Sequence, residues 1–307
     1  MRHIGRPALS TQHLIFNLFG DYLAAPGQAV ATAGLLEVLS LLGVGERATR
    51  STLSRMKRRG WLEPRRIGRR SSYRPTPKAR RLLQEGSRRL FGRQPEPWDG
   101  TWHVIAYSLP RERRLTRHRL RTRLSWLGYG TLQPGTLIAA SPRTQEVQRL
   151  LRELEVHPYV HVFAGARLDP AEQDRVVARC WDLPAIDGRY AAFVERYASL
   201  LQETRSRQQR DGSLPLSESF VARFRATSDY AEFPRIDPFL PDELLPRHWR
   251  GGVAMQLLTE LRALLQAPAE QYLRTTLLLG WRRQRRRTPH HGPAPRARKR
   301  ALETAFG

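Results

Sequence analysis

TRSTLSRMKRRGWLEPRRIGRRSSYRPT, residues 49–76, carries two periodicities on either side of one glycine. Before Gly60, the residues Thr49, Leu53 and Met56 recur at three- and four-residue spacing, which places them on one side of a helix over roughly Glu46 to Arg59. Arg47, Arg50, Ser51, Ser54, Arg55 and Arg58 populate the rest of its surface. Gly60 stops the helix. Beyond it, WLEPRR and RRSSYRPT read as the strands of a hairpin with its tip near Ile67-Gly68, and helical character resumes from Thr76 to Leu90.

Two helices precede this stretch. Leu14, Ile15, Leu18, Phe19, Tyr22 and Leu23 mark the first, from Thr11 to Leu23, which Pro26-Gly27 ends. The second spans roughly Thr32 to Leu42 with Thr32 as N-cap, and Gly43-Val44-Gly45 makes a turn. Asn17, Gly20 and Asp21 interrupt LIFNLF too early for a signal peptide, so the first segment reads as a folded helix. Helix, turn, helix and basic hairpin is the order of a winged helix-turn-helix domain, expected over residues 1–92. On that reading the third helix enters a major groove of double-stranded DNA. Arg50, Ser51, Ser54 and Arg55 are the candidates for base edges, and Arg47, Arg58, Arg65, Arg66, Arg69 and Arg70 for phosphates. The competing reading is a helical bundle with a solvated basic face, which explains the charge but not the order of elements.

The 307 residues hold 53 Lys and Arg against 28 Asp and Glu, a net charge of +25 that favours a polyanionic partner, nucleic acid first. Residues 1–97 hold 19 of the cations and six of the carboxylates, about half the excess. Only three cations are lysines, so a bias toward arginine inflates the charge and charge alone identifies no partner. Cys180 is the sole cysteine, which excludes an intrachain disulfide and a cysteine-based zinc site and suits a reducing cytoplasm. No run approaches the ~20 apolar residues of a membrane-spanning helix.

After a linker at residues 92–100, WHVIAYSLP (102–110) reads as a strand and Glu112 to Leu127 as a basic helix. Tyr129 to Ala139 reads as strand or hairpin, Thr144 to Leu154 as a helix and Tyr159 to Ala164 as a strand. That alternation predicts a ferredoxin-like α+β domain over residues 98–180, suited to forming dimers. A mainly helical domain is expected over 185–280, with a polar connection from Arg207 to Ser213, a helix around Ser217 to Ala226, an irregular stretch at 229–252 and a long helix from about Val253 to Leu265. Residues 281–307, rich in Arg, Pro and Gly, read as a basic disordered tail.

The chain resembles the PaaX family of bacterial transcriptional regulators. The matching blocks are LIFNLFGDYL (14–23), TRSTLSRMKRRGWL (49–62), PWDGTWHVIAYSLP (97–110), LSWLGYG (124–130), CWDLPAIDGRY (180–190) and DPFLPDELLPRHWRG (237–251), in the family's order. The resemblance implies a winged helix that binds operator DNA, a central domain akin to a small CRISPR-associated nuclease, and a C-terminal helical domain. It further implies a homodimeric repressor of a catabolic operon, released from DNA by a small effector of the acyl- or aryl-coenzyme A class, phenylacetyl-coenzyme A among them. Where the family pattern leads one to expect a histidine-bearing basic segment, this chain reads Ser228-Asp229-Tyr230-Ala231-Glu232, which leaves the effector open within that class. An activator of the same family is the alternative sign of regulation.

The nuclease likeness raises an enzyme alternative. Such nucleases place a metal-binding aspartate at the end of the first strand, whereas this chain has Ser108, which supplies no anionic oxygen for Mg²⁺. His157 and His161 stand four apart without a companion cysteine or carboxylate and read as ordinary histidines. No resident cofactor and no catalytic residue are expected. Cys180 reads as a small buried group, Trp98, Trp102 and Trp181 as packing at domain joints, and Trp61 as the residue that packs the hairpin on the third helix. The seven arginines of residues 111–123 suit a solvated helix face, a DNA contact or a grip on coenzyme A phosphates.

Overall fold

The computed structural model describes residues 10–22, 29–67, 70–91 and 97–285. The first unit contains α1 (Thr11–Tyr22), β1 (Val30–Ala31), α2 (Thr32–Leu41), α3 (Glu46–Arg58), β2 (Leu62–Ile67), β3 (Arg70–Pro75) and α4 (Pro77–Phe91). The expected third helix and hairpin are both present, and the hairpin joins a three-stranded antiparallel sheet of order β1-β3-β2.

Gly60 ends α3 for a definite reason. It adopts φ +68°, its N–H donates to the Lys57 carbonyl and the Trp61 N–H donates to that of Met56, each at 2.9 Å. This pairing satisfies two carbonyls that the last helical turn leaves open, and it needs a left-handed residue at the position glycine occupies. Gly43, at φ +88°, ends α2 in the same way.

One local expectation is corrected and another extended. Thr32 begins α2 without capping it; its hydroxyl donates instead to the Ser71 carbonyl at 2.9 Å, which ties helix to sheet. Trp61, which packs on the cluster that holds Leu53 and Met56 of α3, also meets α1 and α4: its ring lies edge-on to Phe16, with centroids 5.6 Å apart, and Lys78 Nζ sits 4.5 Å from the ring centroid.

The central unit runs β4 (Trp102–Tyr107), α5 (Arg114–Trp126), β5 (Gly130–Gln133), β6 (Thr136–Ala139), α6 (Thr144–Glu153) and β7 (Val160–Ala166). Its four strands form an antiparallel sheet of order β5-β6-β4-β7. Ile105, Leu137 and Val160 from the sheet meet Leu120, Leu124, Val147 and Leu150 from α5 and α6 in one core. Segment 129–139 is thus a hairpin, turning at Gly135.

Five helices follow: α7 (Pro170–Cys180), α8 (Leu183–Asp211), α9 (Leu216–Tyr230), α10 (Gly251–Leu264) and α11 (Gln266–Arg285). The polar connection expected from Arg207 is the last turn of α8, which continues to Asp211 and stops at Gly212, φ +64°. The tail expected from residue 281 begins as helix through Arg285; residues 286–307 lie outside the described residues. The irregular stretch after α9 is organised by buried Asp237, whose carboxylate accepts from the Tyr190 hydroxyl and the Phe239 N–H, each at 2.6 Å.

The first unit does not close its own core. Ile15, Leu18, Phe19, Leu35, Leu39, Leu53 and Met56 share one apolar cluster with Phe220 and Phe224 of α9 and Ala269 and Leu273 of α11. Gly34 permits the approach of α11 to α2, because a Cβ there would lie 2.7 Å from Leu277 Cδ2. Across the same boundary Asp21 accepts from Arg223 Nη1 at 2.9 Å and from Arg262 Nη2 at 2.6 Å. All three side chains are largely withdrawn from solvent, at 10%, 7% and 18% exposure respectively.

Removing the charge of Asp21 would leave two sequestered guanidiniums without a carboxylate, so Asp21→Asn is expected to lower stability by about 3 kcal/mol or more. Urea unfolding followed by tryptophan fluorescence checks this. A midpoint equal to wild type would show that the cluster carries no stabilising charge pairing.

Candidate nucleic-acid interface

Residues of α3 divide cleanly between two faces. Thr49, Thr52, Leu53 and Met56, at spacings of three and four, are buried against the core. Arg47, Arg50, Ser51, Ser54, Arg55 and Arg58 repeat the same spacings half a turn away, and all six are exposed. The sequence reading of this helix therefore becomes one continuous outward stripe of arginine and serine. At 13 residues α3 is about 20 Å long, a size that a major groove about 12 Å wide admits end-on or obliquely.

Within the stripe the arginines are not equivalent. Arg50 Nε donates to Glu46 Oε1 at 2.7 Å, leaving the guanidinium end open. Arg55 Nη2 donates to Thr52 Oγ1 at 2.9 Å and its Nη1 to Ser51 Oγ at 3.3 Å, so both arms of its fork lie back on the helix. The Arg50–Glu46 ion pair is exposed, so it adds little to folding stability and its bearing is on where the fork points, whereas Arg55 is held only by neutral hydroxyls and is free to turn outward.

In the hairpin, Arg65 and Arg66 are exposed and pair in register with Ser72 and Ser71. The Ser72 hydroxyl donates to the Arg65 carbonyl at 2.9 Å and stiffens the strand pair. Nearer the hairpin's base, the register partners Glu63 and Arg74 form a 2.6 Å ion pair, which holds the Glu63 carboxyl below its ordinary range chiefly through that hydrogen bond. Sequence reasoning passed over Glu63–Arg74, although Leu62 opposite Pro75 fixes the register that joins them. Arg70 opens β3, and Arg69 lies outside the described residues. Lys57 and Arg59 are further exposed cations on α3 and its C-cap that the sequence reading left aside.

Elsewhere the chemistry is sparse. Ser108 follows β4 and its N–H donates to the Tyr159 carbonyl. His157 sits in a 3-10 turn ahead of β7, while His161 is exposed on β7, so the two do not share a strand face. No group of three or more His, Cys, Asp or Glu side chains able to hold a metal occurs among the described residues. Among those residues, too, no helix is long and apolar enough to cross a membrane. Of the arginines at 111–123, Arg117 donates to the Leu109 carbonyl, Arg113 to that of Glu155, and Arg123 pairs with Glu153.

The comparisons with known proteins agree along the chain. The family model described as PaaX-like protein matches residues 10–79, the PaaX protein central Cas2-like domain matches residues 95–177, and the PaaX-like protein C-terminal domain matches residues 181–275. The Transcriptional repressor PaaX of Escherichia coli strain K12 is 31% identical over 253 residues, covering 81% of this chain and 78% of that protein. Among solved structures, the uncharacterized protein Rv0674 from Mycobacterium tuberculosis superposes with a TM-score of 0.52 at 20% identity, covering 86% of this chain and 98% of that one, a likeness of fold alone.

Cys180, half-buried at the end of α7, has its thiol pushed up to about 11 by desolvation. At pH 8 about one molecule in a thousand then carries the thiolate, the reactive form. Alkylation of the native chain by iodoacetamide at pH 8 is expected to be at least tenfold slower than that of the urea-unfolded chain; equal rates would mark the thiol as activated.

Proposed function

The chain belongs to the PaaX family of transcriptional regulators, and we propose that it is a sequence-specific DNA-binding repressor that acts as a homodimer. The observation that carries the reading is the outward Arg/Ser stripe of α3, on a helix that packs against β2, where Arg65 and Arg66 are exposed. We read residues 1–92 as a winged helix-turn-helix domain with α3 in the major groove and the hairpin as wing. Residues 98–180 form a ferredoxin-like domain, residues 185–280 a helical regulatory domain, and residues 281–307 a basic tail that adds unspecific attraction to phosphate.

In this assignment Arg50, Ser51, Ser54 and Arg55 face base edges. Arg47, Arg58, Arg65, Arg66, Arg69 and Arg70 hold phosphates and set the register of the domain on the duplex. The dimer forms through the central sheet. Strand β7 is one of its two edges, seven residues (VHVFAGA) without a charge or a proline, with Phe163 54% exposed. An uncharged edge of that length is a template for a second strand. The repressor controls a catabolic operon and leaves its operator when an acyl- or aryl-coenzyme A binds. Serine at position 108 supports a regulator rather than a metal-dependent nuclease.

The division of labour is measurable on a duplex selected by the full chain from a randomised pool. Arg65→Ala and Arg66→Ala are expected to weaken binding to selected and scrambled duplexes alike, each lowering the salt slope by about one. Arg50→Ala is expected to reduce discrimination by about 1–3 kcal/mol at one base pair. Equal loss of discrimination in both sets sinks the assignment. Phe163→Asp is expected to convert dimer to monomer in sedimentation velocity, and an unchanged dimer would move the interface elsewhere. Phenylacetyl-coenzyme A and shorter acyl-coenzyme A esters, added to the preformed complex, are expected to release DNA; no release by any of them rejects the effector class.

A further inference from the structure

Glu46 is the only acidic residue of α3, a helix that otherwise carries Arg47, Arg50, Arg55, Lys57 and Arg58. On a surface that approaches phosphates, one carboxylate repels the ligand and lowers affinity for every DNA sequence. Its position as the first residue of α3 gives it a modest favourable interaction with the helix dipole. The dipole does not require that it touch Arg50, yet Glu46 Oε1 accepts from Arg50 at 2.7 Å, and it does so from Nε.

The atom matters. A guanidinium recognises guanine through two parallel N–H donors directed at O6 and N7. The Nη1 and Nη2 end supplies such a pair; a carboxylate bound at Nε leaves that end open and fixes the plane of the fork. Arg55 shows the contrary arrangement, with Nη1 and Nη2 both engaged by its own helix. Arg50 also lies in the first two turns of α3, and the N-terminal part of a reading helix is the part that reaches base edges.

We infer that Glu46 is a specificity-determining positioning residue, which holds Arg50 by Nε so that its terminal fork is presented to a guanine in the major groove. The inference rests on the base-reading role assigned to Arg50 above. Glu46 itself contacts no base. It lowers affinity for DNA in general and raises the share of that affinity that depends on sequence.

Those two effects have opposite signs, which makes the inference separable from a helix-end role. The full chain selects its site from a randomised duplex pool. Binding is then titrated against the selected duplex, against versions of it with each base pair replaced in turn, and against a scrambled duplex, for wild type, Glu46→Ala, Glu46→Gln, Arg50→Ala and the Glu46→Ala/Arg50→Ala double variant. Melting curves for each variant confirm that the fold is kept.

Glu46→Ala is expected to bind the scrambled duplex more tightly than wild type while its discrimination falls about tenfold at the same base pair that Arg50→Ala affects. The double variant should discriminate no worse than Arg50→Ala alone, since the two side chains act as one unit. Glu46→Gln, which keeps an acceptor oxygen for Nε but loses the charge, should recover most of the discrimination and keep the gain on scrambled DNA. If Glu46→Ala raises affinity for all duplexes by one factor, or lowers discrimination at a different base pair, or if Glu46→Gln falls as far as Glu46→Ala, the positioning role is overturned while the reading of Arg50 stands. If Arg50→Ala leaves discrimination intact, or the pool yields no preferred sequence, the base-reading role fails and the inference goes with it.

Discussion

Asp21 is the residue on which the placement of α3 turns. It sits near the end of α1, largely withdrawn from solvent, between one guanidinium from α9 and another from α10. Arg262 also donates to Thr227 Oγ1 at 2.7 Å and Arg223 to the Arg262 carbonyl at 3.3 Å, so the two arginines cross-link α9 and α10 to each other as well as to α1. The Arg223 guanidinium lies 4.6 Å from the ring centroid of Tyr22, whose hydroxyl burial pushes up to about 12 and therefore keeps neutral. Because α1 packs on α3 and α4, whatever fixes α1 fixes the face that α3 presents.

This arrangement differs from a DNA-binding head on a flexible tether. Apolar contact among Ile15, Phe19, Phe220 and Phe224 supplies the adhesion, which is non-directional and would tolerate a slide of one helix along another. The Asp21 pair and the Asn17–Ser228 hydrogen bond at 3.1 Å are directional and remove that freedom. A polar group in an apolar joint is costly unless every partner is in place, and for the same reason it selects one register over its neighbours. α9 and α10 of the C-terminal unit thus contact α1 directly, without the central sheet between them.

What the sequence made legible was local. The α3 stripe, the stop at Gly60 and the hairpin after it depend on residues within a few positions of one another, where helical spacing and backbone preference decide the outcome. Thr32 misled because the helix starts one residue earlier than a cap there requires: Ala31 is the N-cap and Thr32 is already helical, its hydroxyl donating to the Ser71 carbonyl of a strand 39 residues away. For Trp61 only part of the surroundings was legible, because two of its partners, Phe16 and Lys78, arrive from two other helices. α7 and α11 were not read as helices, α7 because its sequence carries few large apolar residues, and the last turn of α8 read as a linker because Arg207 to Asp211 faces solvent on most sides. Asp21 gives no sign in its own neighbourhood of partners 202 and 241 residues on.

The net charge of +25 illustrates the same limit. Many arginines of the C-terminal helices are already matched: Arg196 with Asp229, Arg205 with Glu260, Arg207 with Glu218, Arg250 with Asp187, and the pair on Asp21. A cation facing a carboxylate at hydrogen-bond distance presents little field to a distant polyanion, since the pair acts as a dipole and is screened within about 10 Å at ordinary salt. On α3 the ratio reverses, with five cations to one carboxylate and no acid on the outward stripe. The outward face of α3 is therefore cationic as much because acids are withheld from it as because cations are added. That is why the single acid retained on that helix, Glu46, has chemical meaning out of proportion to its charge.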